Sequence, residues 1–118
     1  MRHAGFSLLE ILVVLVVMSL MASAVAWNQM KSLDNSRRHE TVTRARTIQS
    51  VTQAYLMESS TRRCPTIDEL AKGGSLDRTT DHRDGWGGAF LIECDDDTVH
   101  VRSAGHDGVM NTEDDVGF

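Results

Sequence analysis

Twenty-two consecutive residues, Phe6 to Trp27, carry a single charge, Glu10. As a helix rising about 1.5 Å per residue, such a run reaches roughly 33 Å, enough to cross the hydrocarbon core of a bilayer. Setting it aside leaves about 90 residues for a folded unit, a size at which a core is marginal and disulfides or metals are often recruited. A chain of 118 residues built this way excludes a multidomain enzyme.

Charge is unevenly spread. Residues 31–72 hold eight basic and five acidic side chains, whereas residues 81–118 hold ten acidic ones against Arg83 and Arg102, a net charge of −8. That surface repels phosphate backbones and attracts cations, which disfavours nucleic acid as a partner. Arg37, Arg38, Arg44 and Arg46 read as the solvated face of a helix.

Three readings compete for the apolar run. Cleavage at Ala22-Ser23-Ala24 by signal peptidase would release a soluble protein beginning at Val25. A plain membrane anchor is the second reading, and neither accounts for Glu10. A carboxylate inside a spanning helix costs about 2.5–3.5 kcal/mol and ordinarily marks a partner or a function. Cutting the Gly5–Phe6 bond would create an α-amino cation at the same depth, so Glu10 of one copy can answer the Phe6 amine of the next and set assembly register. Flanking charge leaves the orientation open, since Arg2 and His3 precede the run while Lys31, Arg37 and Arg38 come after it.

Gly5 followed by Phe6-Ser-Leu-Leu-Glu10 and an apolar stretch resembles the leader of type IV pilins and pseudopilins. The resemblance implies a leader over residues 1–5, cut after Gly5 by a prepilin peptidase, and N-methylation of Phe6. It also implies an α+β, pilin-like fold: a long N-terminal helix, with residues 6–27 in the membrane or filament core and 28–60 as an amphipathic continuation, packed on a small antiparallel sheet. The second half fits this independently. Residues 28–60 lack Gly and Pro, and Val42, Ala45, Ile48, Val51 and Tyr55 recur at helical spacing. One departure is that the family commonly has a helix-breaking Pro where this chain reads Ala26-Trp27-Asn28.

Residues 61–118 read as the globular part. Pro65 ends the helical stretch, Thr66 to Leu70 forms a short capped helical turn, and Gly73-Gly74 breaks it. Asp84-Gly-Trp-Gly-Gly88 is a turn cluster. Strands over Ala89–Cys94 and Thr98–Ser103, joined by Asp95-Asp96-Asp97, make a hairpin with Phe90, Ile92 and Cys94 on one face. An even cysteine count in an exported domain favours a Cys64–Cys94 disulfide, with two buried free thiols as the alternative. Zinc on Cys64, Cys94, His100 and His106 is a weaker reading, because no paired ligand spacing is present. His82 and His106 each lie near an Asp with no nucleophile beside them, so nothing here reads as an enzyme.

The C-terminal acidic stretch is either a solvated tail or a loop gathered around a hard cation with many oxygen ligands, for which calcium is the natural candidate; it is not an EF-hand. Ser103-Ala-Gly-His-Asp107-Gly-Val-Met-Asn-Thr-Glu-Asp114-Asp115 resembles the calcium loop of type II secretion major pseudopilins. The resemblance implies Ca2+ ligation by Ser103, Asp107, Asp114 and Asp115 together with backbone carbonyls. Asp84-Gly-Trp86-Gly likewise resembles that family's Asp-Pro-Trp-Gly turn, with Gly85 in place of Pro. The resemblance further implies a single-pass bacterial inner-membrane protein with its C-terminal domain in the periplasm. Such a protein polymerises into a pseudopilus that moves folded proteins toward the outer membrane, alongside minor pseudopilins, inner-membrane platform proteins and a secretion ATPase. A major pilin of a surface fibre shares the leader and is the alternative, and the soluble calcium-binding domain of the signal-peptide reading is a third.

Overall fold

A computed structural model describes residues 5–117; residues 1–4 of the expected leader and Phe118 lie outside them. The elements, in order, are α1 (Leu8–Glu58), α2 (Ile67–Lys72), β1 (Leu91–Asp95), β2 (Thr98–Ser103) and β3 (Val116–Gly117). The chain divides inside α1 into two compact units, one ending at Asn35 and the other beginning at Ser36.

In the first unit Ser7 opens the helix. Its carbonyl accepts the N–H groups of Glu10 and Ile11, and its hydroxyl accepts that of Leu9, which satisfies donors that otherwise have no partner in a first turn. From Leu8 to Val25 the large apolar side chains are exposed all round the helix. A helix apolar on every side is at home only in lipid or inside an assembly, so this stretch is a membrane anchor candidate by physics as well as by length. It runs through Ala26-Trp27-Asn28 without a break, as a stretch free of Pro should.

In the second unit α1 buries Thr41, Ala45, Ile48 and Thr52. This corrects the expected stripe: Ala45 and Ile48 are core, but Val42, Val51 and Tyr55 are only half-buried. The threonines can take the innermost positions because their hydroxyls bond back to the helix, Thr41 Oγ1 to the Arg37 carbonyl and Thr52 Oγ1 to that of Ile48, both at 2.7 Å. With the hydroxyl hydrogen-bonded, the cost of burying each threonine is largely offset. Ala45 and Ile48 meet Phe90, Val99 and Val101, with Leu56, Ile67, Ile92 and Cys94 at the margin.

The hairpin pairs antiparallel from Leu91↔Arg102 to Asp95↔Thr98, so Asp96 and Asp97 form the connection. Phe90, Ile92 and Cys94 face the helix as expected, but the first strand starts at Leu91 rather than Ala89, which instead bridges Arg83. The expected hairpin is also one strand short of the sheet. β3 returns antiparallel to β2, with Arg102↔Gly117 and Ser103↔Val116, and closes residues 104–115 into a loop. The short helix α2 starts on a capping box: Thr66 Oγ1 accepts the Glu69 N–H while Glu69 Oε2 accepts the Thr66 N–H.

Candidate functional site

At the N-terminus Phe6 is 80% exposed and Glu10 lies in the first helical turn, where the helix dipole favours a negative charge. Among the described residues Glu10 makes no ion pair. Among the described residues, an acid on this exposed apolar helix is therefore without a cation.

The second candidate site is built on the Asp84 turn. Asp84 is buried, and its Oδ1 accepts the N–H groups of Trp86 at 3.0 Å and Gly88 at 2.7 Å. Its Oδ2 accepts the Ser103 hydroxyl at 2.5 Å. The turn is fastened to α1 by Gly85, whose N–H donates to Thr41 Oγ1 at 2.8 Å. The Trp86 ring meets that of His106 edge-on at 6.5 Å between centroids, a second link from the turn to the acidic loop.

Within the loop, Gly105 takes φ of +71° and lies so close to the Asp114 carbonyl that a Cβ would sit 2.0 Å from its oxygen. Only glycine permits that approach, which brings the two limbs of the loop together. Asn111 adopts φ of +66°, a conformation Asn tolerates better than most residues. Asp115 holds the far end. Its Oδ2 accepts from Arg102 at 2.8 Å and from the Asn111 N–H at 2.7 Å, and its Oδ1 accepts longer bonds from Thr112. Burial pushes the Asp115 carboxyl up, but the Asn111 and Thr112 amides and the Arg102 guanidinium outweigh it and hold the group below the usual carboxylate range.

Ser103, the Asp114 backbone and Asp115 are thus drawn into one loop base. Asp107 stands apart as an exposed turn residue whose carboxylate accepts the Val109 N–H at 3.0 Å. Among the described residues no three His, Cys, Asp or Glu side chains are gathered as a metal cluster. The donors at this base are oxygen throughout, hydroxyl, carboxylate and backbone carbonyl, which is the chemistry of a hard cation such as calcium rather than of zinc. Zinc is excluded here by the cysteines themselves, since Cys64 and Cys94 are joined in a disulfide with Cα atoms 5.5 Å apart and offer no thiolate.

Three participants escape a reading of the sequence. Asp84 is legible as a turn former but not as the partner of Ser103, 19 residues away. Arg102 is recognisable only as one of two cations in an acidic third of the chain, and the Gly85–Thr41 bond has no local signal.

Residues 1–26 match the family model described as the prokaryotic N-terminal methylation motif. The chain is 30% identical to the type II secretion system core protein G of Klebsiella michiganensis, over 96% of this chain and 90% of that protein. To the protein of the same name from Escherichia coli K12 it is 28% identical, over 98% and 90%. Among solved structures it is similar to the crystal structure of the major pseudopilin from the type 2 secretion system of enterohaemorrhagic Escherichia coli. The TM-score is 0.58 at 25% identity, covering 75% of this chain and 87% of that one.

Proposed function

The chain belongs to the type II secretion system core protein G family, the major pseudopilins, and on that footing we propose that it is the polymerising subunit of a periplasmic pseudopilus. The observation that carries this reading is the exposed apolar helix that begins just after Phe6, with Glu10 in its first turn and in no ion pair among the described residues. Such a surface costs free energy wherever it meets water, and lipid before assembly or neighbouring helices after it are the environments that remove the cost.

In this reading residues 6–27 anchor the subunit in the inner membrane and the domain from residue 61 onward faces the periplasm. A prepilin peptidase cuts between Gly5 and Phe6, and Phe6 is N-methylated. The new amine of one subunit meets Glu10 of its neighbour, so each addition neutralises a charge that was isolated in the membrane. Lateral helix packing supplies the cohesion. Growth, powered from the cytoplasm by the secretion ATPase through the platform protein, pushes folded exoproteins toward the outer membrane.

The globular unit then serves as the filament's outer surface, and we read its acidic loop as a calcium site. Ser103, Asp107, Asp114 and Asp115 are the side chains that would hold the ion, and when bound it would supply the positive charge that lets these carboxylates share one loop. The oxygen donor set and the close approach of Gly105 to Asp114 support this; on binding, Asp107 would turn in from its exposed position and the ion would share Asp115 with Arg102.

The test is mass spectrometry of the N-terminus in membranes and in assembled filaments. Mature subunits should begin at methylated Phe6, and Glu10→Leu should abolish filaments while leaving processing intact. Filaments built from subunits that begin at Val25, or that still carry residues 1–5, would overturn the reading.

A further inference from the structure

Asp84 is 4% exposed, carries a carboxylate, and makes no ion pair among the described residues. Buried carboxylates are ordinarily matched by a cation, because hydrogen bonds alone offset only part of the cost of leaving water. Here Oδ1 is spent on the turn's own amides, while Oδ2 faces the fully buried Ser103 hydroxyl, 2.5 Å away. An ionised carboxylate only accepts, so the hydroxyl must spend its one proton on Asp84. Of the two lone pairs left on Ser103 Oγ, one accepts the Gly105 N–H at 3.1 Å. That leaves the other for a ligand, on an oxygen whose electron density is raised by the proton-accepting carboxylate behind it.

We infer that Asp84 is a positioning residue for the loop's cation: by accepting the hydrogen bond of the Ser103 hydroxyl it fixes that group with a lone pair available to calcium. The inference rests on the acidic loop being a calcium site. It adds a buried carboxylate outside the acidic loop to that site, and through Gly85 and Thr41 it ties the site to α1. The arrangement parallels carboxylates that orient the ligands of other metal sites, where loss of the outer partner costs about 10–100-fold in metal affinity.

The experiment is calorimetric titration of calcium into the metal-free protein and into Asp84→Asn, Ser103→Ala and the double variant. Asn at 84 keeps an oxygen for the Trp86 and Gly88 amides but turns a donor toward Ser103. Wild type should bind, and D84N should bind about tenfold or more weakly. In the S103A background the same change at 84 should leave the Kd within about twofold, because a residue acting through Ser103 has nothing left to act on. A merely structural Asp84 would instead lower affinity equally in both backgrounds, which overturns the inference, as does D84N binding calcium as tightly as wild type. Wild type that takes no calcium overturns the calcium reading itself. Should a variant fail to fold, the 13Cγ resonance of Asp84 in wild type carries the test: it should move on calcium saturation together with the Gly105 amide. An unmoved Asp84 signal beside a shifted Gly105 overturns the inference.

Discussion

Gly85 stands where the resembling turn of the family carries proline, and the reason lies in two atoms of α1. Its N–H donates to Thr41 Oγ1 at 2.8 Å, and a Cβ on its Cα would fall 2.5 Å from the Arg37 carbonyl oxygen. Proline would supply the Cβ and remove the donor together. Gly85→Pro, the change toward the family pattern, should therefore destabilise the globular unit by about 2–4 kcal/mol, combining crowding with a lost hydrogen bond. Gly85→Ala keeps the donor and should lose only the crowding part. Denaturant unfolding of both variants checks this, and a proline variant as stable as wild type would refute the account. The site was legible at this scale only where a residue's role is local. Gly5, Phe6 and Glu10 stand out by type and spacing, and Ser103 and Asp115 only through the resemblance of their loop, whereas Asp84 meets Ser103 and Gly85 meets Thr41 across distances in sequence that no periodicity spans.

Among the elements, α1 was legible because Gly and Pro are missing from its second half, and β1 and β2 because apolar residues alternate. The innermost helix face was not, since two of its four members are threonines that tolerate burial only because their hydroxyls bond back to the helix. β3 has two residues and so has no period to read; its partner Ser103 places it. In α2 the signal was chemical, a Thr followed three residues later by Glu. That capping box titrates. The Thr66 N–H beside its carboxylate, opposed by partial burial and aided by Arg63, holds Glu69 below its ordinary value of 4.5. A depressed carboxyl contributes stability in full above its unfolded value, and the contribution fades as pH falls through the lower folded value. Gln can still cap through its side-chain oxygen, so Glu69→Gln isolates the charge. Wild type should exceed E69Q in melting temperature at neutral pH, and the gap should close in acid below pH 4.5. A gap of constant size down to about pH 3 would show that the charge contributes nothing.

The molecule joins a unit ending at Asn35, whose apolar surface is left for other molecules to cover, to a unit from Ser36 onward that must fold on its own. The second unit has a small core of Ala45, Ile48, Leu70, Leu76, Phe90, Val99, Val101 and Val116. A core of this size is marginal, which gives physical weight to the covalent link between Cys64 and Cys94. The ring it closes spans 30 residues of sequence and contains α2 and the Asp84 turn. Cys64 also lies two residues before the capping Thr66, in the connection between α1 and α2, and Cys94 lies on the inner face of β1, so the bond fastens that connection to the sheet. Restricting the unfolded chain over such a ring stabilises by about 3–4 kcal/mol on the loop-entropy model. In a unit this small, that corresponds to a fall in melting temperature on the order of 15 °C or more when the bond is reduced. The measurement is made in a chelator, so that calcium contributes nothing, by comparing oxidised protein, reduced protein and a Cys64→Ser/Cys94→Ser variant. Reduced protein and variant should melt together, well below the oxidised form, because the constraint acts on the unfolded chain and is lost in both. Equal melting of all three would mean that packing of the helix on the sheet already holds the unit, leaving the disulfide without a thermodynamic role.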